Sequence, residues 1–312
     1  ASDAVVLWNA VMVNERHPHQ HRRMLRWVNE QREKGHKIWM QAITTPNDMR
    51  FMLDDFNLFD GNGAWRDVTI GDIATRIEKM RDPALRAAVR ADYDTGSAPF
   101  VSGPIADIVI DSVVNDANKV YVGMTISELG AATDKHPSDA MLDLAIDEGL
   151  KTVFYVTPFN YEESYMNEVL ENEWTVPGVS DGGAHTKFLN FGRYPSDLLI
   201  DMVRERGSYT LEEAHYRLAA MPAIAAGFDD RGTLEVGRAA DIVIYDYENL
   251  KLLPAEVVHD LPGDEWRYVE GAEGYRYTIV NGETIRIDNE VTGAYPGKLL
   301  RHGNAQGVSR AA

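Results

Sequence analysis

Val176-Pro177-Gly178-Val179-Ser180-Asp181-Gly182-Gly183-Ala184-His185 is the stretch around which the rest of the chain is organised. A short apolar run, Pro177 to Val179, ends abruptly in a carboxylate; two glycines, His185 and Lys187 follow. A β-strand that stops at Ser-Asp-Gly sets the aspartate at the strand's carboxyl end. In an α/β barrel that is the face where the chemistry sits. The glycines allow a sharp turn and the close approach of a ligand. The same residues also read as an ordinary Asp-Gly turn, so the flanking chain has to decide between the two.

Upstream, Ala4 to Met12 is apolar nearly throughout and partly β-branched, which predicts a strand buried on both faces. A core strand at residue 4 needs neighbours, and ordinary domains start with a polar lead-in. We therefore expect a further part of the fold beyond this stretch. Asn14 to His21 holds three of the nine histidines within five residues. His17 and His19 have the spacing of a metal-binding His-x-His pair at a strand end; the segment also suits a polar loop lining a pocket, with His21 on a helix surface. Arg22 to Glu33, with Leu25, Trp27 and Val28 among charges, predicts an amphipathic helix ended by Gly35. Lys37 to Ile43 is a second strand. Strand, helix, glycine and strand make a βαβ unit, whose strands must be parallel.

From Thr44 to Asn118 the rhythm breaks, and 44–118 reads as an insertion folding over one face as a lid. Phe56, Phe59 and Trp65 either pack its core or line a substrate. Two helices are expected, Ile73 to Met80 and Pro83 to Tyr93, the second opened by Asp82 as N-cap with proline in the first turn, then a loop over Ser97 to Gly103. Strands are then expected at Lys119 to Met124 and Thr152 to Val156, with helices from Thr125, from Pro137 and over Tyr161 to Glu171. After the Asp181 stretch come a helix from Pro195 to Arg206 and, at Thr210-Leu211-Glu212-Glu213, a capping box opening a helix to Met221. Beyond Phe228 the chain turns to short strands, and Asn281-Gly282 between two alternating runs predicts a type I′ hairpin. The domain reading is 1–227 for an α/β part and 228–312 for a small β part.

The chain has 312 residues, 44% of them apolar, with 49 acidic against 31 basic side chains and a net charge of -18. That balance argues against nucleic acid and against an anionic membrane surface as partners. The absence of cysteine excludes disulfides and a thiolate nucleophile. No apolar run approaches the ~20 residues of a membrane span, and residues 1–15 lack a signal-peptide pattern. A cytoplasmic location is the expectation.

Val179-Ser180-Asp181-Gly182 recurs together with Arg231-Gly232-Thr233-Leu234-Glu235-Val236-Gly237-Arg238-Ala239-Ala240-Asp241-Ile242-Val243-Ile244-Tyr245-Asp246, with the Leu211-Glu212-Glu213-Ala214 helix and Pro222 between. This pattern resembles the metal-dependent amidohydrolase superfamily, in particular its N-acyl-D-amino-acid deacylase branch. The resemblance implies the carboxyl-terminal part of a TIM-like (β/α)8 barrel, with an inserted lid and part of a small β-sandwich. Ala4 to Met12 then matches the sixth barrel strand, and Asp181 ends the eighth. A second polypeptide, either a separate subunit or the other half of a cleaved precursor, would complete the barrel, and a higher oligomer is expected.

By the same resemblance Asp181 is both a metal ligand and the base that takes a proton from the attacking water. His185 and Lys187 face the pocket, and Arg193 holds a substrate carboxylate. The cofactor implied is a divalent metal, zinc first, as one or two ions. The sequence departs from the pattern at Trp8-Asn9-Ala10: Asn9 stands where the deacylases carry a histidine ligand, and imidazole binds zinc far better than an amide. Asn9 is then left to contact substrate, and either His17 or His19 supplies the ligand, or the site holds one metal, or none. Ile43-Thr44-Thr45-Pro46 carries no deacylase-like pocket pattern. The expected activity is hydrolysis of an amide or related C–N bond in a small molecule. The alternative is a non-catalytic or degenerate subunit with a binding or assembly role.

Overall fold

In chain order the elements begin with β1 (Val6–Val11), α1 (Gln20–Glu33) and β2 (Ile38–Ala42). There follow β3 (Asn47–Phe51), α2 (Gly63–Thr69), α3 (Ile73–Arg81), α4 (Pro83–Asp94), β4 (Val109–Ser112), α5 (Ile126–Thr133), α6 (Pro137–Asp147) and β5 (Val153–Phe159). Then come α7 (Glu163–Glu171), β6 (Thr175–Pro177), α8 (Tyr194–Asp197), α9 (Leu211–His215) and α10 (Met221–Ala226). The computed structural model describes residues 4–55, 57–96, 103–159, 162–187 and 192–301. Phe56, Tyr161 and all but the last residue of the Ser97–Gly103 loop lie outside the described residues. The contacts divide the chain into two compact units: Ala1–Pro46 with Phe159–Thr186 and Asn190–Ala312, and Asn47–Pro158 with Lys187–Leu189.

The first unit is built on a parallel sheet in the order β1-β2-β6. The βαβ unit expected from the sequence forms: β1 and β2 run parallel, with Asn9 opposite Gln41 and Val11 opposite Ala42. β2 is the central strand, with Ala42 opposite Pro177 of β6. Val11, Met40 and Ala42 are fully buried, and with Val28, Val169, Leu170 and Leu199 they form one apolar cluster. β1 departs from its expectation. Val11 at its end is buried, but Val6 and Leu7 are about half exposed, because β1 is an edge strand and among the described residues only β2 pairs with it.

His21, expected on a helix surface, is fully buried. It bonds through Nε2 to Glu168 of α7 at 3.1 Å, while Arg22 donates to both carboxylate oxygens of the same residue at 2.6 Å each. The reason lies in the helix pairing: α1 packs on α7, so one carboxylate of α7 meets an imidazole and a guanidinium from adjacent residues of α1. Arg22 first, and then His21, hold the Glu168 carboxyl down to about 2.

The remaining helices and strands of this unit follow their local signals. Thr210 and Glu213 form the reciprocal capping box. A four-stranded antiparallel sheet runs in the order β14-β13-β12-β7, with β7 (Ile242–Tyr245) at its edge. The intervening strands are β8 (Lys251–Leu252), β9 (Glu256–Leu261), β10 (Glu265–Val269) and β11 (Ala272–Glu273). β12 (Tyr275–Val280) and β13 (Glu283–Ile287) flank Asn281 and Gly282, at φ 48 and 82°, as the type I′ turn requires; β14 (Glu290–Val291) completes the sheet.

The second unit has its own core under a three-stranded sheet in the order β3-β5-β4. It extends further than the insertion expected over 44–118. Phe59 and Trp65 are fully buried and stacked, with ring centroids 4.4 Å apart, so they are packing residues. Asp82 caps α4 through the amides of Ala84 and Leu85, as its sequence predicts. Lys119 to Met124 is not the expected strand. Asp116–Tyr121 forms a 3-10 turn capped by the Asn115 side chain. The Glu148 carboxylate takes the amides of Val114 and Asn115, so these donors have partners without a strand ladder. Thr152 to Val156 does form β5, but it pairs antiparallel with β4 rather than joining the parallel sheet.

The Glu168 lock gives a pH dependence with a definite sign. Its carboxyl ionises below the ordinary value of 4.5, so its contribution is fully present above pH 4.5 and fades as the pH falls toward 2. Replacing Glu168 by Gln leaves the buried His21 with a weaker acceptor. The variant is expected to melt a few degrees below wild type at pH 7, with the gap closing in acid, as thermal unfolding followed by circular dichroism will register.

Candidate functional site

Parallel pairing brings the carboxyl ends of β1, β2 and β6 to the same edge of the sheet, the usual position for a site in open or closed α/β sheets. The backbone bonds continue just past the strands: Ile43 donates to Val11 and Gly178 to Ala42, at 3.0 and 2.9 Å. The chain then leaves β6 through Val179 and Ser180 to Asp181. The Gly182 amide bonds the Ser180 hydroxyl at 3.2 Å, and the Ala184 amide bonds the Asp181 carbonyl at 2.9 Å. Asp181 and His185 both take left-handed backbone, at φ 43 and 56°. Two such non-glycine residues in five is a strained turn of the kind that clusters at functional sites. Asp181 is half-buried and His185 exposed.

Gly178 explains itself at this edge. Its φ is +106°, and a Cβ there would run into the ring of Tyr194. Tyr194 opens α8, and burial pushes its hydroxyl pKa up. Next to it, Arg193 donates from Nε to Asp197 and from Nη1 to Glu270, each at 3.1 Å. Burial raises the Asp197 pKa, against the pull of Arg193 and of the nearby Thr45 side chain. Thr45 follows β2 and is buried. A guanidinium between two carboxylates thus stands beside the carboxyl ends of β2 and β6.

The sequence-predicted residues are therefore placed as follows. Asp181 lies beyond β6, and Arg193 beside Tyr194 with two of its donors engaged. Lys187 is paired with Asp55. Asn9 is exposed within β1, two residues before its end, while His17 and His19 are exposed in the loop that leads into α1. Sequence reasoning missed Tyr194, Asp197, Glu270 and Thr45. The i,i+4 spacing of Arg193 and Asp197 is a signal that could have found one pair; nothing local points to Glu270 or Thr45. An apolar groove of about 960 Å³ elsewhere in this unit, lined by Leu199, Tyr216, Val243 and Tyr245 among others, does not include Asp181.

The donor set tests the metal directly. Among the described residues no group of three or more His, Asp or Glu side chains comes together to hold an ion. Asp181, His17 and His19 are all described and are not such a group. The described residues thus do not form a metal centre by themselves.

A carboxylate past the end of a parallel strand stands where α/β folds place their sites. The chain belongs to the amidohydrolase family, whose profile matches residues 9–286. It is 26% identical over 225 residues to an uncharacterised protein of Mycobacterium tuberculosis strain H37Rv, covering 69% of this chain and 36% of that one. It is 27% identical over 183 residues to the N-acyl-D-aspartate deacylase of Alcaligenes xylosoxydans xylosoxydans, covering 56% of this chain and 34% of the relative. A solved N-acyl-D-glutamate deacylase from Bordetella bronchiseptica, complexed with zinc and a phosphonate inhibitor, aligns with 90% of this chain and 47% of its own at 17% identity and a TM-score of 0.47. The chain thus spans about a third of these curated relatives' length. No helix among the described residues is long and apolar enough to cross a membrane.

The Gly178–Tyr194 contact predicts a graded pair of substitutions. Gly183 has a similar φ, +91°, but open space around its Cβ position. Gly183→Ala should therefore show only the cost of left-handed backbone, of order 1–3 kcal/mol. Gly178→Ala adds the collision with the Tyr194 ring and should be the more destabilised of the two in chemical denaturation. Equal losses would remove the ring contact from the account.

Proposed function

We propose that this chain is one part of a metal-dependent amidohydrolase that cleaves an amide, or a related C–N bond, in a small molecule. The reading is supported by Asp181, a half-buried carboxylate beyond the end of a parallel strand, in a chain of the amidohydrolase family. Asp181 accepts a proton from the attacking water as it adds to the carbonyl carbon. It returns that proton to the leaving nitrogen as the C–N bond breaks, the general acid–base role a positioned carboxylate can fill. A bound divalent metal, zinc first, would lower the pKa of water toward ~7; Asp181 would be one of its ligands, and most of the others would come from a second polypeptide that completes the barrel. The His17–His19 loop and Asn9 then belong to the rim of the site, with His185. The domain reading, 1–227 barrel and 228–312 sandwich, and the lid role of the insertion are part of the same proposal, as are a higher oligomer and a cytoplasmic location.

A second reading, a degenerate subunit with a binding or assembly role, draws on Asn9 in place of a histidine and on the lack of a metal-holding group among the described residues. One set of measurements separates the two. Native mass and denaturing gels of the purified protein are expected to show a companion polypeptide. In that assembly Asp181→Asn should lower kcat by ~10²–10⁴-fold, with KM changed far less, and chelation should abolish turnover. Wild-type rates in Asp181→Asn would remove the residue from the chemistry and leave the second reading standing.

A further inference from the structure

β7 stands at the edge of its antiparallel sheet, and among the described residues only β12 pairs with it. Its residues, Ile242-Val243-Ile244-Tyr245, are all apolar or aromatic, and Val243 and Ile244 are each about half exposed. A bare edge is a template for another strand, and proteins that keep one usually blunt it with lysine or proline. β7 carries neither.

The apolar groove of about 960 Å³ in this unit runs along that edge. Successive side chains of a strand point to opposite faces, so a groove lined by all four residues of β7 follows its edge rather than one face. A second wall is Leu218, Ala219 and Ala220, from the helical turn Tyr216–Ala220 that joins α9 to α10. Residues 232–234 form a third. Gly232 takes φ +90°, and a Cβ there would meet the Ala223 Cβ at 2.8 Å and the Ala219 carbonyl at 3.0 Å. The 232–234 turn therefore packs closely on the helix, and Leu234 is left largely exposed.

The size and chemistry of the groove select its occupant. A rise of ~3.3 Å, a strand spacing of ~4.8 Å and a sheet spacing of ~10 Å give about 160 Å³ per residue of packed sheet. The groove thus has room for about six extended residues, one ordinary strand. Its polar groups are engaged with protein partners: the Tyr245 hydroxyl with His215 Nε2 at 2.8 Å, and the Tyr275 hydroxyl with Ser196 at 2.7 Å. The Asp241 carboxylate accepts from Arg231 at 2.6 Å and from the Asn281 amide at 2.8 Å. What remains to offer is apolar surface and a strand edge, the two things that strand addition uses.

A second copy of this chain is a poor source, because each copy carries a net charge of -18 and like charges keep copies apart. Residues 302–312, His-Gly-Asn-Ala-Gln-Gly-Val-Ser-Arg-Ala-Ala, hold one large apolar residue, Val308. The chain spans about a third of its curated relatives' length, so most of such a relative has no counterpart here and can supply a strand.

We propose that the β7 edge takes up an extended apolar segment of about six residues from the second polypeptide, which joins the sheet as a fifth strand and seats its side chains against Val243 and 218–220. This docking rests on the reading above, that a second polypeptide accompanies this chain.

Photo-cross-linking on the purified assembly tests it. p-Benzoylphenylalanine is placed at Val243, in the groove, or at Val236, which is fully exposed and outside it. From Val243 the cross-link should reach an extended apolar peptide of a polypeptide that matches the part of the amidohydrolases this chain does not span; from Val236 that peptide should be absent. In the double variant Val243→Lys with Ile244→Lys, affinity for the companion should fall at least tenfold, while circular dichroism keeps the wild-type spectrum of the chain; Val236→Lys should bind as wild type does. A companion that binds the double variant within twofold of wild type, with no cross-link from Val243, overturns the docking and leaves the second polypeptide standing. A cross-link from Val243 to another copy of this chain, or to 302–312, overturns it by naming a different occupant. A preparation in which this chain runs alone removes the second polypeptide, and the docking with it.

Discussion

Everything at the carboxyl edge of the parallel sheet depends on β2 being hydrogen-bonded on both flanks. A parallel strand with two neighbours fixes their register and their direction together. Here it sets Val11 beside Ala42 and Ala42 beside Pro177. From that row the chain can leave each strand only toward the same edge, and Asn14, Thr45 and Asp181 follow within a few residues. The Glu168 lock between α1 and α7 braces the helices that cover this sheet, with one carboxylate serving an imidazole and a guanidinium.

What could be read from the sequence was what is written locally. The βαβ unit, the Asp82 cap, the Thr210 capping box and the Asn281-Gly282 turn each depend on residues a few positions apart, and each forms. Pairings over long separations could not be read that way. His21 looked like surface because its partner stands 147 positions away. Residues 119–124 looked like a strand because the carboxylate that takes the preceding amides comes from the far end of α6, at Glu148. Arg193 was expected to await a substrate carboxylate, and the side chains that meet it, Asp197 and Glu270, are supplied by the helix it opens and by a turn 77 residues later.

The candidate site shows the same division. Asp181 was found because a carboxylate at a strand end is visible as a break in hydropathy. The packing beside it comes from contacts without a motif: a tyrosine ring against Gly178, and an arginine bonded to Asp197 and Glu270. The resemblance to amidohydrolases suggests a role for the carboxylate, whereas the packing beside it is visible only in the structure.

β3 and β5 are neighbours in their sheet, and the Leu53 amide reaches the Leu150 carbonyl. The end of β3 therefore meets the start of β5, and the entry of the second unit at Asn47 lies near its exit at Pro158. With its own buried core and adjoining ends, this unit has the form of a cassette. Such a segment can be lengthened, shortened or exchanged between genes with little demand on the strands it interrupts. Sequence change in this lineage is then expected to run fastest across 47–158, while the parallel strands on either side of it diverge slowly.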